Sequence, residues 1–452
     1  MSAPRLFGTD GVRGKAGEYP LDPLTVARLG AALVRVMRDT HGSDDTRTFR
    51  LVIGRDTRES GPWIERELAR GAASQGATVT TAGVIPTPAI AYITAAMGFD
   101  AGIVISASHN PFEDNGIKIF SGKGEKFTEA REREVEVMLA RTDWSVPESA
   151  ELQLDDTNVV DEYIAHTRLI FQAPGRLGGA RIAVDTANGA TTTVASRLFR
   201  ELGFEVRLIG NSPDGRNINL ECGSTHPAFL SRTVVEQKCR LGIAFDGDGD
   251  RAIFADAAGN IVDGDAVLLM CARYLKSKGR LNRDAIVATV MSNIGLEIAL
   301  RSSGIEMVRC PVGDKYVMEE MVRSGISLGG EQSGHIIFSE HLFTGDGLAT
   351  ALNVMRVIAD TGRELSDLAS ELITYPQVLV NVRVRQKIDL QSIPDIAEAI
   401  ARVEGRLVGH GRLLVRYSGT EPLLRVMLEG RDQDEIQSWA TEIAGKVAKY
   451  LG

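Results

Sequence analysis

Short apolar runs alternate along most of the chain with segments whose apolar residues recur every three or four positions. The runs at residues 51–53, 103–105, 181–185 and 241–245 are typical of buried strands. The segments at 23–38, 62–75, 128–140 and 191–202 have the spacing of amphipathic helices. Strands that alternate with helices indicate βαβ units, so we expect an α/β fold made of similar domains with mixed sheets.

The alternation continues through predicted strands at 78–81, 204–209, 285–291, 305–310 and 326–328 and predicted helices at 295–302 and 315–323. After Tyr375-Pro376 the pattern changes, because residues 378–384 form a strand with one polar face and a smaller α+β domain follows. The length of 452 residues accommodates three or four domains at roughly 150 residues each. We expect three similar α/β domains at 1–153, 154–253 and 254–368, and the α+β domain at 369–452.

Composition narrows the class of protein. A net charge of −9 argues against broad binding to nucleic acid or to an anionic membrane. The four cysteines lack C-x-x-C spacing, which predicts reduced thiols rather than disulfides or a zinc site. No signal-peptide core precedes the first motif, and no apolar run approaches the roughly 20 residues of a membrane span. We therefore expect a cytoplasmic protein without a nucleic-acid or membrane partner.

Four polar loops each follow directly from an apolar strand, at residues 106–111, 246–251, 329–335 and 416–422, and the last three contain glycine. Ligands of α/β sheets bind at the carboxyl ends of strands. For one loop, an ordinary strand-to-helix connection is an equally good interpretation. Four loops with complementary chemistry favour one central cleft that the domains share.

The first loop contains a candidate nucleophile. Ser108 offers a hydroxyl, His109 an imidazole, and Lys118 an amine that the Asn115-Gly116 turn brings back towards the loop. A serine hydroxyl is a weak nucleophile until a base or a metal activates it. Taken alone, the loop is more typical of a turn or cap, so it needs a partner elsewhere in the chain.

The second loop supplies that partner, because three carboxylates alternate with glycines and can converge on one cation: Asp246, Asp248 and Asp250. Oxygen ligands favour Mg²⁺ over zinc or copper. An EF-hand is excluded, since Arg251 and Ala257 stand where its glycine and glutamate are required. The remaining alternative is an acidic surface turn.

The other two loops carry groups suited to a sugar phosphate. Donors and acceptors for sugar hydroxyls alternate at Glu331, Ser333 and His335, although a structural histidine is an equal alternative. A phosphate grip, or a tight hairpin, is formed by Arg416, Ser418, Gly419 and Thr420, with Arg425 on the next strand. Further contributors, or structural ion pairs, are Asp10, Arg13, Arg55 and Arg58, and Lys315, shortly after Gly313, could add a positive charge beside the same cleft.

Together these groups predict phosphoryl transfer on a sugar phosphate. A metal would neutralise the charge of a phosphoryl group on Ser108, while Lys118 or His109 moves the proton. A nucleotide-dependent kinase is disfavoured, because the chain has no G-x-x-x-x-G-K-[ST] pattern. A simple hydrolase would need an evident base to activate water.

The four loops, in this order, resemble the signatures of the α-D-phosphohexomutases over essentially the whole chain. The opening 7–14 segment, FGTDGVRG, and Gln332 are most similar to the bacterial phosphoglucosamine mutases. The resemblance implies four domains around the cleft, Mg²⁺ held by Ser108 and the three aspartates, and a phosphoserine at position 108. It also implies catalytic roles for Ser108, His109, Lys118 and Arg251.

The implied reaction interconverts glucosamine 6-phosphate and glucosamine 1-phosphate through a hexose 1,6-bisphosphate, which also serves as activator. The product would feed UDP-N-acetylglucosamine and the cell wall. The implied partner is a small sugar phosphate, and a homodimer is compatible with the family. The alternatives are a phosphomannomutase/phosphoglucomutase, a metal-dependent sugar phosphatase and a sugar-phosphate binding protein without activity.

Overall fold

The structure is a computed structural model that describes residues 5–8, 10–41, 47–147, 154–155, 158–418 and 421–452. The described chain divides into two compact units. The first unit runs to Met291 and resumes at Val308–Ala369, and the second consists of Ser292–Met307 and Ser370–Gly452. Each unit has its own sheets and helices.

A seven-stranded sheet opens the first unit, in the order β1-β2-β6-β5-β3-β4-β7. Its elements are β1 (Phe7–Gly8), β2 (Gly11–Lys15), α1 (Pro23–His41), β3 (Arg50–Arg55), α2 (Gly61–Ala73), β4 (Thr78–Val84), α3 (Thr87–Ala96), β5 (Ala101–Ile105), β6 (Asp114–Ser121), α4 (Glu129–Ala140) and β7 (Leu154–Asp155).

The second sheet has five strands in the order β12-β11-β10-β8-β9. Its region contains α5 (Val160–Arg168), β8 (Arg181–Asp185), α6 (Ala195–Glu201), β9 (Glu205–Ile209), α7 (Ala228–Glu236), β10 (Leu241–Phe245), β11 (Ala252–Asp256) and β12 (Ile261–Val262). Short 3-10 helices lie at Gly175–Leu177 and Ala190–Thr193.

The third sheet has four strands in the order β14-β13-β15-β16. The elements of this part of the chain are α8 (Gly264–Ser277), β13 (Ala285–Thr289), α9 (Ile294–Ser302), β14 (Glu306–Cys310), α10 (Asp314–Ser324), β15 (Leu328–Gly330), β16 (Ile336–Phe338), α11 (Gly347–Thr361) and α12 (Leu365–Ala369). A 3-10 helix at Asn282–Asp284 precedes β13, and α9 belongs to the second unit.

The three sheets share one arrangement at the predicted site loops. Strands β5, β10 and β15 each pair in parallel with one neighbour (β3, β8 and β13) and antiparallel with the strand that follows (β6, β11 and β16). The serine, aspartate and sugar loops are the connections between these antiparallel pairs. The three α/β sheets are therefore built alike, which confirms the predicted fold class.

The second unit is the smaller α+β part of the fold. It contains α9, β17 (Gln377–Arg383), a 3-10 helix (Leu390–Ser392), α13 (Pro394–Leu407), β18 (Arg412–Tyr417), β19 (Leu423–Glu429) and α14 (Gln433–Leu451). Its antiparallel sheet has the order β17-β19-β18. Alternate strand residues such as Val382, Val426 and Leu428 pack with Ile396 of α13 and Ile443 of α14, and the polar positions between them lie on the other face.

Several helices, among them α3, α8 and α11, were not predicted from periodicity. Helix α3 is buried at most of its positions and has no polar stripe, so it gives no amphipathic signal. Helices α8 and α11 are amphipathic, and their apolar spacing was overlooked. Two boundaries also differ: the helix expected at 191–202 starts as a 3-10 turn before α6, and the strand expected at 326–328 is β15 at Leu328–Gly330.

Close helix packing supports the first sheet. A Cβ atom on Gly71 of α2 would lie 1.8 Å from the carbonyl oxygen of Ala27 in α1, so the two helices approach each other through backbone atoms. The apolar faces of both helices join a buried cluster that includes Leu33, Leu51 and Ile103. This cluster supports strand β5, from which the serine loop emerges.

The four cysteines are buried free thiols, as expected from their spacing. Burial raises the pKa of the Cys222, Cys271 and Cys310 thiols to about 12. Among the described helices, none has the length and apolar content needed to cross a bilayer.

A buried carboxyl connects α5 to α11. Asp346 caps α11 by accepting a hydrogen bond from Ala349 N–H, and both of its oxygens lie 3.0 Å from the Tyr163 hydroxyl. Burial raises the pKa of Asp346 from 3.8 to about 6. The folded state therefore holds this proton more tightly than the unfolded state does.

Stability from this group is greatest when Asp346 is protonated and is lost as the pH rises through about 6. Asp346→Asn keeps a capping oxygen and removes the titration. Between about pH 5 and about pH 7.5, the unmodified protein should lose about 1.5 kcal/mol of unfolding free energy through this titration, and Asp346→Asn should not. Urea unfolding across this range checks the prediction, which parallel pH profiles of the two proteins would contradict.

Candidate active site

Ser108 lies in the loop between β5 and β6 and is 2 % exposed. Its backbone has a φ of 51°, in the left-handed region that residues other than glycine seldom adopt. Its hydroxyl donates a 2.6 Å hydrogen bond to Asp246 Oδ2 and lies 3.2 Å from His109 Nδ1. The predicted partnership between the serine loop and the aspartate loop is therefore a direct contact.

The three aspartates of the second loop form a buried oxygen cluster. One side-chain oxygen from each of Asp246, Asp248 and Asp250 lies within 4.8 Å of the others. Burial and repulsion from Asp250 and Asp248 raise the pKa of Asp246 well above its usual range. Asp248 Oδ1 is buried without a hydrogen-bond partner in the described part of the chain. An all-oxygen set with unneutralised charge and a free acceptor fits a hard cation such as Mg²⁺.

Thr87, at the start of α3, holds Asp248 in place. Its hydroxyl donates a 2.6 Å hydrogen bond to Asp248 Oδ2, and its N–H donates to the Asp248 carbonyl oxygen at 2.9 Å. The Oδ2 atom also accepts a hydrogen bond from Lys118. With Oδ2 held by two donors, the unpartnered Oδ1 remains available as a metal ligand.

We expect Thr87→Val to weaken Mg²⁺ binding about tenfold, because partners that orient a metal ligand contribute at about this level. Calorimetric titration with Mg²⁺, in the absence of sugar, measures the effect. Thr94→Val is the matched control: Thr94 is buried on the same helix, but its hydroxyl donates to the Ile90 carbonyl oxygen. Equal affinities of Thr87→Val and the unmodified protein would contradict the assignment.

Lys118 is buried between carboxylates. Its Nζ lies 2.8 Å from Asp248 Oδ2 and 2.9 Å from Asp10 Oδ2. Although burial opposes the charge, Asp10 and Asp248 raise the pKa of Lys118 well above its usual range. Asp10 also accepts from Arg13 Nη2 at 2.5 Å and from Lys126 Nζ at 2.6 Å. Lys118 is consequently an ammonium ion that holds its protons and donates hydrogen bonds to the carboxylates around it.

The pKa of His109 is shifted in the opposite direction to that of Lys118. Partial desolvation, together with the nearby guanidinium groups of Arg251 and Arg13, lowers the pKa of its imidazole. At neutral pH the ring is therefore uncharged and can accept a proton. The backbone N–H of Arg251 donates to Asp246 Oδ1 at 3.1 Å, which connects Arg251 to the aspartate cluster.

The sugar loop joins the aspartate loop through backbone contacts. Arg251 forms an antiparallel bridge with His335, and Ala252 N–H donates to the Gly334 carbonyl oxygen at 3.1 Å. His335 Nε2 accepts from Gly345 N–H at 3.1 Å, so Nδ1 carries the ring proton and faces Asp250 Oδ1 at 3.5 Å.

The other predicted site residues near the third sheet differ in burial and in their partners. Glu331 is buried and accepts a hydrogen bond from Gly313 N–H at 3.1 Å, whereas Ser333 is exposed. The Lys315 ammonium lies 3.3 Å from Glu132 Oε2 of α4, away from the aspartate cluster. Arg55 likewise forms a 3.0 Å ion pair with Glu65 of α2, which supports the structural interpretation of this arginine.

A cavity of about 370 Å³ lies beside the aspartate cluster and is lined by several of these groups. Its lining includes residues from all three sheets of the first unit: Asp10, Gly11, Arg13, His109, Asp250, Arg251, Gly313, Asp314, Glu331 and His335. Carboxylates, two guanidiniums and two imidazoles thus face one space. This combination can bind an anionic, hydroxyl-bearing molecule and move a proton on it.

The fourth loop is the hairpin between β18 and β19 in the second unit. Arg416 and Arg425 are directly opposed across these strands, on the polar face of the sheet. Like charges in this position repel each other, and a bound anion would neutralise them. Arg425 Nη2 donates to Glu421 Oε2 at 2.8 Å, and Ser418 is 4 % exposed. Gly419 and Thr420 lie outside the described residues.

Four supporting residues were not identified from sequence as part of the site: Asp56, Thr87, Lys126 and Asn219. Arg58 was named only as one of several possible contributors. These residues contact parts of the site that are far away in the sequence. Thr87 and Asp248, for example, are 161 residues apart. The start of α3 at Pro86-Thr87-Pro88 has a recognisable helix signal. No pattern in the chain points from that helix to the aspartate loop.

Comparison with known proteins agrees with this arrangement. Family descriptions of phosphoglucomutase/phosphomannomutase match domain I at residues 4–145, domain II at 161–259, domain III at 263–375 and the C-terminal domain at 379–446. A phosphoglucosamine mutase of Solibacter usitatus is 48% identical over 452 residues and 100% of both chains. One from Geobacter sp. strain M21 is 47% identical, covering 99% of this chain and 98% of its own.

Solved structures share the fold. A phosphoglucomutase/phosphomannomutase family protein from Burkholderia thailandensis superposes with a TM-score of 0.79 at 24% identity, covering 98% of each chain. An Aspergillus fumigatus N-acetylphosphoglucosamine mutase, solved with GlcNAc-6P and magnesium, superposes with a TM-score of 0.67 at 18% identity, covering 99% of this chain and 96% of its own. From these matches along its whole length, the chain belongs to the phosphoglucomutase/phosphomannomutase family, the α-D-phosphohexomutases.

Proposed function

We propose that the protein is an isomerase that interconverts glucosamine 6-phosphate and glucosamine 1-phosphate through a phosphoserine at position 108. The observation that carries the proposal is the Ser108 hydroxyl, buried and hydrogen-bonded to Asp246 within a cluster of three aspartates. The full-length relatives named phosphoglucosamine mutase support the choice of the amino sugar.

In the proposed reaction, the bond between phosphorus and Ser108 Oγ breaks and a bond to the sugar O1 forms. The O1 hydroxyl loses its proton, Ser108 Oγ takes one up, and the product is a 1,6-bisphosphate. After the bisphosphate reorients, the bond between phosphorus and O6 breaks and the phosphoryl group returns to Ser108 Oγ. The Ser108 hydroxyl loses its proton in this step, and O6 takes one up. Glucosamine 1-phosphate leaves, and the enzyme is again phosphorylated, so no phosphate is consumed.

The proposed metal site consists of Ser108, Asp246, Asp248 and Asp250. Mg²⁺ bound there would neutralise negative charge on the transferring phosphoryl group. Thr87 and Lys118 keep Asp248 oriented towards the site through its Oδ2 atom.

We assign the roles of His109 and Lys118 from charge. His109, neutral and 3.2 Å from Ser108 Oγ, is suited to exchange a proton at that oxygen. Lys118, held as an ammonium ion, is suited to stabilise negative charge on the transferring phosphoryl group. Arg251 and Arg13 add positive charge to the cavity that contains His109.

We further propose that Glu331, Ser333 and His335 select the sugar hydroxyls. The non-reacting phosphate would bind Arg416, Ser418, Gly419, Thr420 and Arg425. The opposed guanidiniums of β18 and β19 support an anion site on that hairpin. The domain limits at 1–153, 154–253, 254–368 and 369–452 place one loop in each domain. The reduced thiols are compatible with a cytoplasmic enzyme that supplies UDP-N-acetylglucosamine synthesis.

The test is conversion of glucosamine 6-phosphate to the 1-phosphate, with Mg²⁺ and a trace of hexose 1,6-bisphosphate. Glucose and mannose phosphates are assayed in parallel, and free phosphate is monitored. We expect a clear preference for the amino sugar without phosphate release. Preference for glucose or mannose phosphate would instead indicate a phosphomannomutase/phosphoglucomutase, and stoichiometric phosphate release would indicate a phosphatase.

A further inference from the structure

The backbone of Ser108 is held at both ends by one closed ring of hydrogen bonds. Its N–H donates to Ser106 Oγ at 2.9 Å, and Ser106 Oγ donates to Asp56 Oδ2 at 2.6 Å. Asp56 Oδ2 also accepts from Arg58 Nε at 2.9 Å. Arg58 Nη2 then donates to the Ser108 carbonyl oxygen at 3.0 Å, which closes the ring.

Asn219 adds a second donor to the same carbonyl oxygen, from the second sheet region. Its Nδ2 lies 2.9 Å from Ser108 O, and the residue is 6 % exposed. The contact is tightly packed: a Cβ atom on Gly247 would lie 2.5 Å from Ser108 O and 2.8 Å from Asn219 Nδ2. The loop that carries Asn219 is anchored in turn, because Asn219 N–H donates to the Ala187 carbonyl oxygen at 2.8 Å.

These contacts matter because Ser108 has a left-handed backbone. With φ at 51°, the residue is less stable than in an extended or helical conformation unless its surroundings hold it. The backbone orientation decides where the Cβ and Oγ atoms point. Arg58 and Asn219, which both donate to the Ser108 carbonyl oxygen, therefore help to keep Oγ directed at Asp246.

We propose that Asn219 is a positioning residue for the nucleophile, acting through the Ser108 carbonyl oxygen. Arg58 provides the same support from within the first sheet region, whereas Asn219 makes the serine geometry depend on the loop between β9 and α7. The inference rests on the proposed function only where it predicts a slower phosphoryl transfer. The contact itself does not depend on which sugar is the substrate.

Asn219→Gly is the decisive variant, because Asn219 has a φ of 60° that glycine adopts without strain. It removes the amide and leaves the backbone conformation available. Glu221→Gly is the matched control: Glu221 has a φ of 53° in the same loop, and its side chain is exposed. Arg58 is less suitable, since it is fully buried and its loss endangers folding.

Two measurements are made on the full-length variants. The first is single-turnover transfer from phosphorylated enzyme to glucosamine 6-phosphate, with KM determined separately. The second is hydrogen exchange of a peptide spanning residues 103–112, in Mg²⁺ alone. We expect Asn219→Gly to slow transfer by about ten- to a hundredfold at unchanged KM, since small misplacements of reacting groups have effects of this size. Exchange in the serine loop should accelerate.

Glu221→Gly should match the unmodified protein in both measurements. Equal transfer rates in Asn219→Gly and Glu221→Gly would overturn the positioning role while leaving the proposed function intact. Failure of the unmodified phosphorylated enzyme to transfer to any hexose phosphate would overturn the proposed function instead. In that case unchanged exchange in Asn219→Gly would also overturn the inference, and faster exchange would support it.

Discussion

Ser108→Ala should abolish phosphoryl transfer, with kcat/KM falling by at least about 10⁴-fold, as expected when the nucleophile of a covalent mechanism is removed. The alanine protein should also fail to acquire a phosphoryl group when it is incubated with hexose 1,6-bisphosphate and Mg²⁺. Intact-protein mass spectrometry and the coupled mutase assay measure the two effects. Loss of one buried hydroxyl costs only about 1 kcal/mol, so unfolding would not account for the result.

Ser106→Ala is the control for this prediction. Ser106 is buried two residues before Ser108, and its hydroxyl donates to Asp56 rather than to the aspartate cluster. We expect this variant to transfer more slowly but still to accept one phosphoryl group. Full mutase activity in Ser108→Ala, or phosphorylation of that variant at another residue with turnover preserved, would exclude the serine mechanism.

Lys118→Met should lower kcat by about 10²- to 10⁴-fold, the range expected for a group that moves a proton or stabilises charge in the transition state. The apolar side chain would leave Asp10 and Asp248 without their shared cation. Removing one partner of a buried ion pair costs about 3–5 kcal/mol, so the variant should also unfold at lower denaturant concentration. Steady-state kinetics and urea unfolding are measured together.

Lys126→Met separates the two effects. Lys126 also pairs with Asp10 and is similarly enclosed, but its second partner is Asp314 rather than Asp248. We expect a comparable loss of stability with kcat reduced by no more than about threefold, since the charge beside the aspartate cluster is retained. Equal losses of kcat in the two variants would indicate that Lys118 has only a structural role.

The sequence was most informative where a short stretch contains its own chemistry. Asp246, Asp248 and Asp250 alternate with glycines, and the structure brings their oxygens together. Ser108 and Lys118 were recognisable as reactive groups that required a partner. Strands such as β5 and β10 were predictable because each is a short, continuous apolar run between polar loops.

Helix α3 was not predictable in the same way. It is buried at most of its positions, so its apolar residues show no periodic contrast with polar ones. Lys315 shows a similar limit for single side chains. It was predicted only as a possible source of positive charge beside the cleft, and no local pattern indicated that its ammonium pairs with Glu132 of α4.

The sequence by itself determined the α/β class, the order of the loops and the residue types suited to binding a divalent cation and a phosphate. These properties depend on neighbouring residues and on a backbone period that is visible locally. The tertiary structure alone decided which groups meet: Lys118 with Asp248, Thr87 with Asp248, and Asn219 with the Ser108 carbonyl oxygen. It also decided the charge on each group, because burial and the nearest charged side chains shift pKa values, and both depend on contacts between distant parts of the chain.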